Sequence, residues 1–263
     1  MPDQDRLSPK QLLSAVKPST IAHLSDLHLD GSRERSEVLE RTIALLQEMS
    51  GELDLIVVSG DLSEQGRLSD YEELIAAFKA LQVPVRMCPG NHDDRSNFAL
   101  TVLGQQEVNG PAHQHWQESS VSVLALDSTV PGRDEGTLTP ETGDWLDREL
   151  ARVPTGRHVV VMLHHTPIRW QGQDIASLDD QGTRTLGDVL NHEVGVTAIL
   201  GGHMHNMMIS SLRGTPAIAA PSLAPRVSPP WSCVTTSQLN DPAFAIHAID
   251  ANGLLTTYLQ RIP

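Results

Sequence analysis

Five short segments of this chain carry atoms that could hold a metal or move a proton. They are Asp26-Leu27-His28, Gly60-Asp61, Gly90-Asn91-His92-Asp93-Asp94, His164-His165 and Gly202-His203-Met204-His205. Their donors are Asp26, His28, Asp61, Asn91, His92, His164, His203 and His205. Eight donors are too many for one ion. They suit two ions that share a carboxylate, each also holding imidazole and oxygen ligands. No thiolate is offered, so a cysteine-type structural zinc is excluded. Imidazole with carboxylate suits iron, manganese, zinc or cobalt. Two such ions about 3.5–4 Å apart activate a water between them and clamp the oxygens of a phosphoryl group in line with it. Two divalent ions less two carboxylates and one hydroxide leave a local charge of about +1, enough to attract a phosphate. Hydrolysis of a phosphate ester is the reaction class these residues point to.

Each segment needs an element to deliver it, and each follows a strand-like run. The runs are Ser19–Leu24, Leu53–Val58, Val83–Cys88, Val159–Leu163 and Val196–Leu200. Leu53–Val58 is a continuous apolar run, the signature of a strand covered on both faces. Helical spacing over 36–49 and 68–81, the second with Ser69 as N-cap, makes the first half β-α-β-α-β. That order predicts a layered α/β sheet, with ligands beyond the C-terminal ends of its strands. Val121–Leu126 predicts a further strand. Thr139-Pro140 starts a helix with Trp145, Leu146 and Leu150 on its buried stripe, and 183–192 is another helix. Short strands follow at 207–212, 215–219, 243–250 and 254–259, with tight turns at Arg213-Gly214 and Asn252-Gly253. Segments 94–118, 167–182 and 221–237 read as loops.

Length and composition frame the rest. A polar arm over 1–18, with a short helix at 9–16, leads into a single domain over 19–263. The formal charge of −14 comes from 19 basic and 33 acidic residues. No basic patch is visible, which argues against a nucleic-acid partner. Cys88 and Cys233 stand far apart, so a disulfide framework is not expected. No run approaches the roughly 18 apolar residues of a membrane span. The expectation is a reduced, cytoplasmic protein without a membrane anchor.

The ordered set Asp-x-His, Gly-Asp, Gly-Asn-His-Asp, His, Gly-His-x-His resembles the calcineurin-like metallophosphoesterase superfamily. All five blocks occur in order between residues 26 and 205. Gly-Asn-His-Asp-Asp with Arg95, and His164-His165-Thr166-Pro167, look like the branch of class III cyclic-nucleotide phosphodiesterases and glycerophosphodiesterases. The resemblance implies a four-layer α-β-β-α sandwich of two mixed sheets. It implies two metal ions, iron or manganese before zinc or cobalt, and a small phosphodiester substrate: a 3′,5′-cyclic nucleotide first, a glycerophosphodiester as the alternative. By its terms Asp26, His28 and His205 hold one ion, Asn91, His164 and His203 the other, and Asp61 bridges them. His92, unligated near the phosphate, protonates the leaving oxygen or stabilises the charged phosphoryl, oriented by Asp93 or Asp94. Asn91, His92, His165 and Arg95 are the candidate substrate contacts. His165 stands either behind the ligands or against the substrate, and a homodimer is expected by analogy alone.

Plainer roles fit other residues. His23 reads as a core or supporting histidine. His113, His115, His158, His192 and His247 read as surface or satisfied core residues. Met204, Met207 and Met208 read as packing, and Trp170 and Trp231 as loop residues that either line a pocket or pack on the surface. A catalytically silent scaffold would have lost ligands, whereas every position is filled here.

Overall fold

The computed structural model describes residues 18–106, 110–118, 120–169, 177–192, 195–226 and 241–263. The expected helix at 9–16, Trp170, Trp231, Cys233, residues 170–176 of the loop at 167–182 and residues 227–237 of the loop at 221–237 lie outside the described residues.

Among the described residues, eleven strands form two sheets. The first contains β1 (Ser19–Leu24), β2 (Leu55–Ser59), β3 (Val85–Cys88), β10 (Ala243–Ile249) and β11 (Leu255–Arg261), in the order β11-β10-β1-β2-β3. The second contains β4 (Gln114–Glu118), β5 (Val121–Leu126), β6 (His158–His165), β7 (Val196–Gly202), β8 (Met208–Leu212) and β9 (Thr215–Ala219), in the order β4-β5-β6-β7-β9-β8. β1, β2 and β3 are parallel, as are β5, β6, β7 and β9; β10 and β11 in one sheet and β4 and β8 in the other run antiparallel to their neighbours.

Side-chain alternation along the strands builds three cores. Leu55, Val57, Val123, Ala125, Val160, Met162, Ala198 and Leu200 pack between the two sheets. Ile56 and Val58 turn to the opposite face and meet helices α1 (Arg33–Glu48) and α2 (Leu68–Phe78). Leu124, Val161 and Ile199 turn likewise toward α4 (Pro140–Leu150) and α5 (Asp180–His192). Three apolar interfaces between four layers are the α-β-β-α sandwich that the resemblance implied.

Local signals explain most boundaries. Ser32 caps α1 through a bond from Arg35 N, and Thr139 caps α4 with Pro140 in the first turn. Ser69 is not the cap of α2: the chain turns helical at Leu68, Arg67 takes the capping place, and no side chain caps it. Segment 94–118 is not simply a loop. It contains the short helix α3 (Arg95–Thr101), capped by Asp94, and edge strand β4. α3 buries only Phe98 and Ala99, too little periodicity to be visible in sequence.

No helix of the described residues is long and apolar enough to cross a membrane.

Candidate metal centre

The five segments meet where the C-terminal ends of β1, β2, β3, β6 and β7 converge. Two connections begin as extensions of the sheet. Asp26 N donates to Gly60 O, His28 N to Asp61 O and Leu29 N to Leu62 O, so the turns after β1 and β2 remain laced together. This lacing sets Asp26 and His28 beside Asp61.

Two groups of ligand atoms result. Asp26, His28, Asp61 and His205 each offer an atom, all within 4.8 Å of one another. His28 Nε2 lies 3.1 Å from His205 Nε2 and 3.4 Å from Asp61 Oδ2, and His205 Nε2 lies 3.5 Å from Asp26 Oδ1. In the second group His164 Nε2 lies 3.1 Å from Asn91 Oδ1 and 3.3 Å from His203 Nδ1. It also lies 3.2 Å from Asp61 Oδ2. One carboxylate oxygen therefore reaches both groups. His165 falls geometrically with His164 and His203, but its ring is committed elsewhere.

The donor set fits cations. Ser59 O and Pro225 O can only accept, so His164 Nδ1, at 2.7 Å, and His205 Nδ1, at 2.8 Å, must donate to them. His28 Nδ1 donates to Glu64 Oε2 at 2.6 Å. The inward Nε2 atoms of all three rings are then bare lone pairs. Those of His28 and His205 face each other, those of His28 and His164 face the Asp61 carboxylate, and that of His205 faces Asp26. Acceptors crowded on acceptors are stable only with a cation or an extra proton between them. Fixing the outer nitrogen of a ligating histidine in this way is the usual support of a metal site.

The electrostatics carry the same signature. Burial pulls the pKa of His164 down, but the Asp61 carboxylate outweighs it and the value is pushed up to about 9. Burial pushes the Asp61 carboxyl up, yet His164 and then His28 hold it far below the ordinary carboxylate range. At His28 burial wins and the pKa falls, although Asp61 and Asp26 pull it the other way.

Backbone geometry at the site is unusual. Six non-glycine residues among those described have positive φ, and five are Asp26 (53°), His28 (49°), Asp61 (50°), His203 (68°) and His205 (51°). Asp and His tolerate this left-handed region better than most residues, but each still costs on the order of 1 kcal/mol or more. The turns fold their side chains inward at that expense. Two glycines make room. A Cβ on Gly90 would sit 2.2 Å from Asp61 Oδ1, and one on Gly202 would sit 1.7 Å from Ser25 Oγ.

His92 lies at the rim, with its side chain 36% exposed. Its ring meets His28 edge-on at 4.8 Å between centroids. The expected orienting groups are not the ones found. Asp93 is turned away: it accepts from Gly90 N, Leu62 N, Ser63 N and the Tyr71 hydroxyl, tying two of the turns together. Asp94 caps α3. His92 Nδ1 instead donates to Glu64 O at 3.0 Å, while its own N–H donates to Asp61 Oδ1. Burial lowers the His92 pKa, but Asp61 and the Glu64 carbonyl outweigh it and the net shift is upward.

Two other candidate contacts are engaged by the protein. His165 is fully buried, with Nδ1 2.9 Å from Ser128 Oγ and Nε2 3.1 Å from Asp134 O. Neither nitrogen is left for a substrate, so of its two expected places it occupies the one behind the ligands. Arg95 donates to Asp127 Oδ2 and to both oxygens of Thr129. Its guanidinium braces a loop rather than reaching into the metal groups. Glu64 is the residue sequence reasoning missed. In Ser63-Glu64-Gln65-Gly66 it reads as turn chemistry, and its only signal was its place three positions after Asp61.

Comparison with known proteins agrees with this geometry. The family model described as calcineurin-like phosphoesterase matches residues 19–207. A protein of Rhodococcus erythropolis named probable cyclic nucleotide phosphodiesterase is 33% identical over 213 residues, covering 77% of this chain and 70% of that protein. A 3′,5′-cyclic-nucleotide phosphodiesterase of a Nostoc species is 28% identical over 256 residues, covering 94% and 93%. Among solved structures, purple acid phosphatase from yellow lupin seeds shares the fold, with a TM-score of 0.63 at 14% identity over 92% of this chain and 51% of that one. By motif order, site geometry and family match, the chain belongs to the calcineurin-like phosphoesterase family.

Proposed function

We propose that residues 19–263 form a phosphodiesterase that uses two metal ions to hydrolyse small phosphodiesters, 3′,5′-cyclic nucleotides foremost, to the nucleoside monophosphate. One observation carries this reading: Asp61 Oδ2 lies within 3.4 Å of the bare Nε2 of His28 and 3.2 Å of that of His164. Asp26, His28 and His205 would hold one ion and Asn91, His164 and His203 the other, with Asp61 shared. The nitrogen-and-oxygen donor set suits iron, manganese, zinc or cobalt, and the family resemblance ranks iron and manganese first. When bound, such a pair supplies Lewis acidity and an ionised water for attack on phosphorus.

The chain's own groups do the rest. Asn91 orients the phosphate beside His164. His92 has its Nδ1 anchored on Glu64 O, and against burial the Asp61 carboxylate and that carbonyl raise its pKa, which favours the form carrying a second ring proton. As the P–O bond breaks, that proton passes to the departing oxygen, a general-acid role. The diester preference rests on the names of the relatives. A panel of cyclic nucleotides, glycerophosphodiesters and a nitrophenyl monoester tests it with the metal-loaded protein. The reading predicts the highest kcat/KM for a cyclic nucleotide. Turnover of the monoester alone would refute it.

A further inference from the structure

A cavity of about 470 Å³ opens on the flank of the site formed by Asn91. Its walls are the start of α3, with Asp94, and the turn that follows β5, with Thr129, Val130 and Gly132. The volume lies within the range of small-molecule pockets, roughly 300–1,000 Å³.

The turn that forms the outer wall is held unusually firmly for a loop. Arg95 spans Asp127 and Thr129 with three hydrogen bonds. The buried Asp127 also accepts from Ala112 N. His165, fully buried, bridges Ser128 and Asp134 O from beneath. A Cβ on Gly136 would sit 2.3 Å from the His165 ring, so the turn closes directly on that imidazole. His165 and Arg95, two of the four residues expected to touch substrate, thus shape a wall instead. A built wall beside Asn91 has a use only if something bulkier than phosphate is to be seated there.

We infer that this cavity is the specificity pocket, receiving the nucleoside part of the diester while Asn91 holds its phosphate. The inference rests on the phosphodiesterase reading above. Val130 sets the width of the pocket. Asp94 offers a carboxylate to amino or hydroxyl donors on the nucleoside. His165 and Arg95 are positioning residues for the wall.

Filling the pocket tests this. The Val130→Trp variant is compared with the unaltered metal-loaded protein on 3′,5′-cAMP and on methyl 4-nitrophenyl phosphate, a diester that carries no nucleoside. The ratio of the two kcat/KM values is expected to fall at least tenfold, through KM for the cyclic nucleotide. Calorimetric binding of 5′-AMP and of inorganic phosphate gives a readout apart from turnover. The unaltered protein should bind 5′-AMP at least tenfold more tightly than phosphate, and the variant should lose that margin. Should Val130→Trp not fold, Val130→Phe and the calorimetry on the unaltered protein decide. An unchanged ratio, or equal affinity for 5′-AMP and phosphate, overturns the pocket assignment alone. Failure of the unaltered protein to cleave either diester overturns the parent reading and the pocket with it.

Discussion

Replacing Glu64 by glutamine isolates one support of the metal centre. The Glu64 carboxylate receives the Nδ1 hydrogen of His28 at 2.6 Å, and the His28 side chain is only 8% exposed. Glutamine keeps the shape and leaves the Glu64 carbonyl that His92 uses, so what changes is the charge on this bond and on the looser 3.7 Å pair with His92 Nδ1. A charge-assisted hydrogen bond contributes roughly 1.5–3 kcal/mol. The Glu64 side chain is 42% exposed, and solvent screening brings the figure toward the lower end, about 1.5 kcal/mol. At about 1.4 kcal/mol per decade, that is roughly tenfold in affinity for the ion that His28 would hold. The ion near His164 has no contact with Glu64 and should be unaffected. Chelator competition with manganese would resolve the two binding steps. One step should weaken about tenfold and the other should stay. Equal weakening of both steps, or of neither, would refute the assignment of Glu64 to His28.

Further outcomes follow from the same geometry. His92→Ala should retain bound metal yet lose roughly 10²–10⁴ in rate with poor leaving groups. The loss should shrink for nitrophenyl esters in a leaving-group series; equal losses throughout would remove His92 from the acid role. Acid should destabilise the fold through His247, whose pKa burial lowers from 6.5 to about 4. The unfolded chain binds that proton first as pH falls through 6.5, so stability present above that pH drains away down to about pH 4. Between pH 7.5 and 5 the loss is about 2 kcal/mol for this residue. Urea unfolding of His247→Gln at both pH values should show a shallower dependence than the unaltered protein; parallel curves would contradict it.

Much of this arrangement was legible before any coordinates. Strand-like, largely apolar runs marked five strands, and the positions just past them named Asp26, His28, Asp61, Asn91, His164, His203 and His205, which the fold gathers around the Asp61 carboxylate. Thr139-Pro140 announced a helix start that is present. What stayed hidden depends on tertiary contact. The left-handed backbone at Asp26, His28, Asp61, His203 and His205 has no local signature in an ordinary Asp or His. Carbonyls such as Ser59 O and Pro225 O, which orient rings, are carried by every residue alike. Asp93 looked like a partner for its neighbour His92, but the tight turn at Gly90 points it at the peptide groups of Leu62 and Ser63. β4 escaped notice because its residues, Gln114–Glu118, are mostly polar and form the edge of the sheet.

The central claim is that Asp61 joins two cation sites into one centre. Metal analysis of manganese-loaded protein, unaltered and Asp61→Ala, tests it most directly. The account predicts two ions per chain in the unaltered protein and a clear loss of bound metal in the variant. One ion or none in the unaltered protein, or undiminished binding after removal of Asp61, would contradict it.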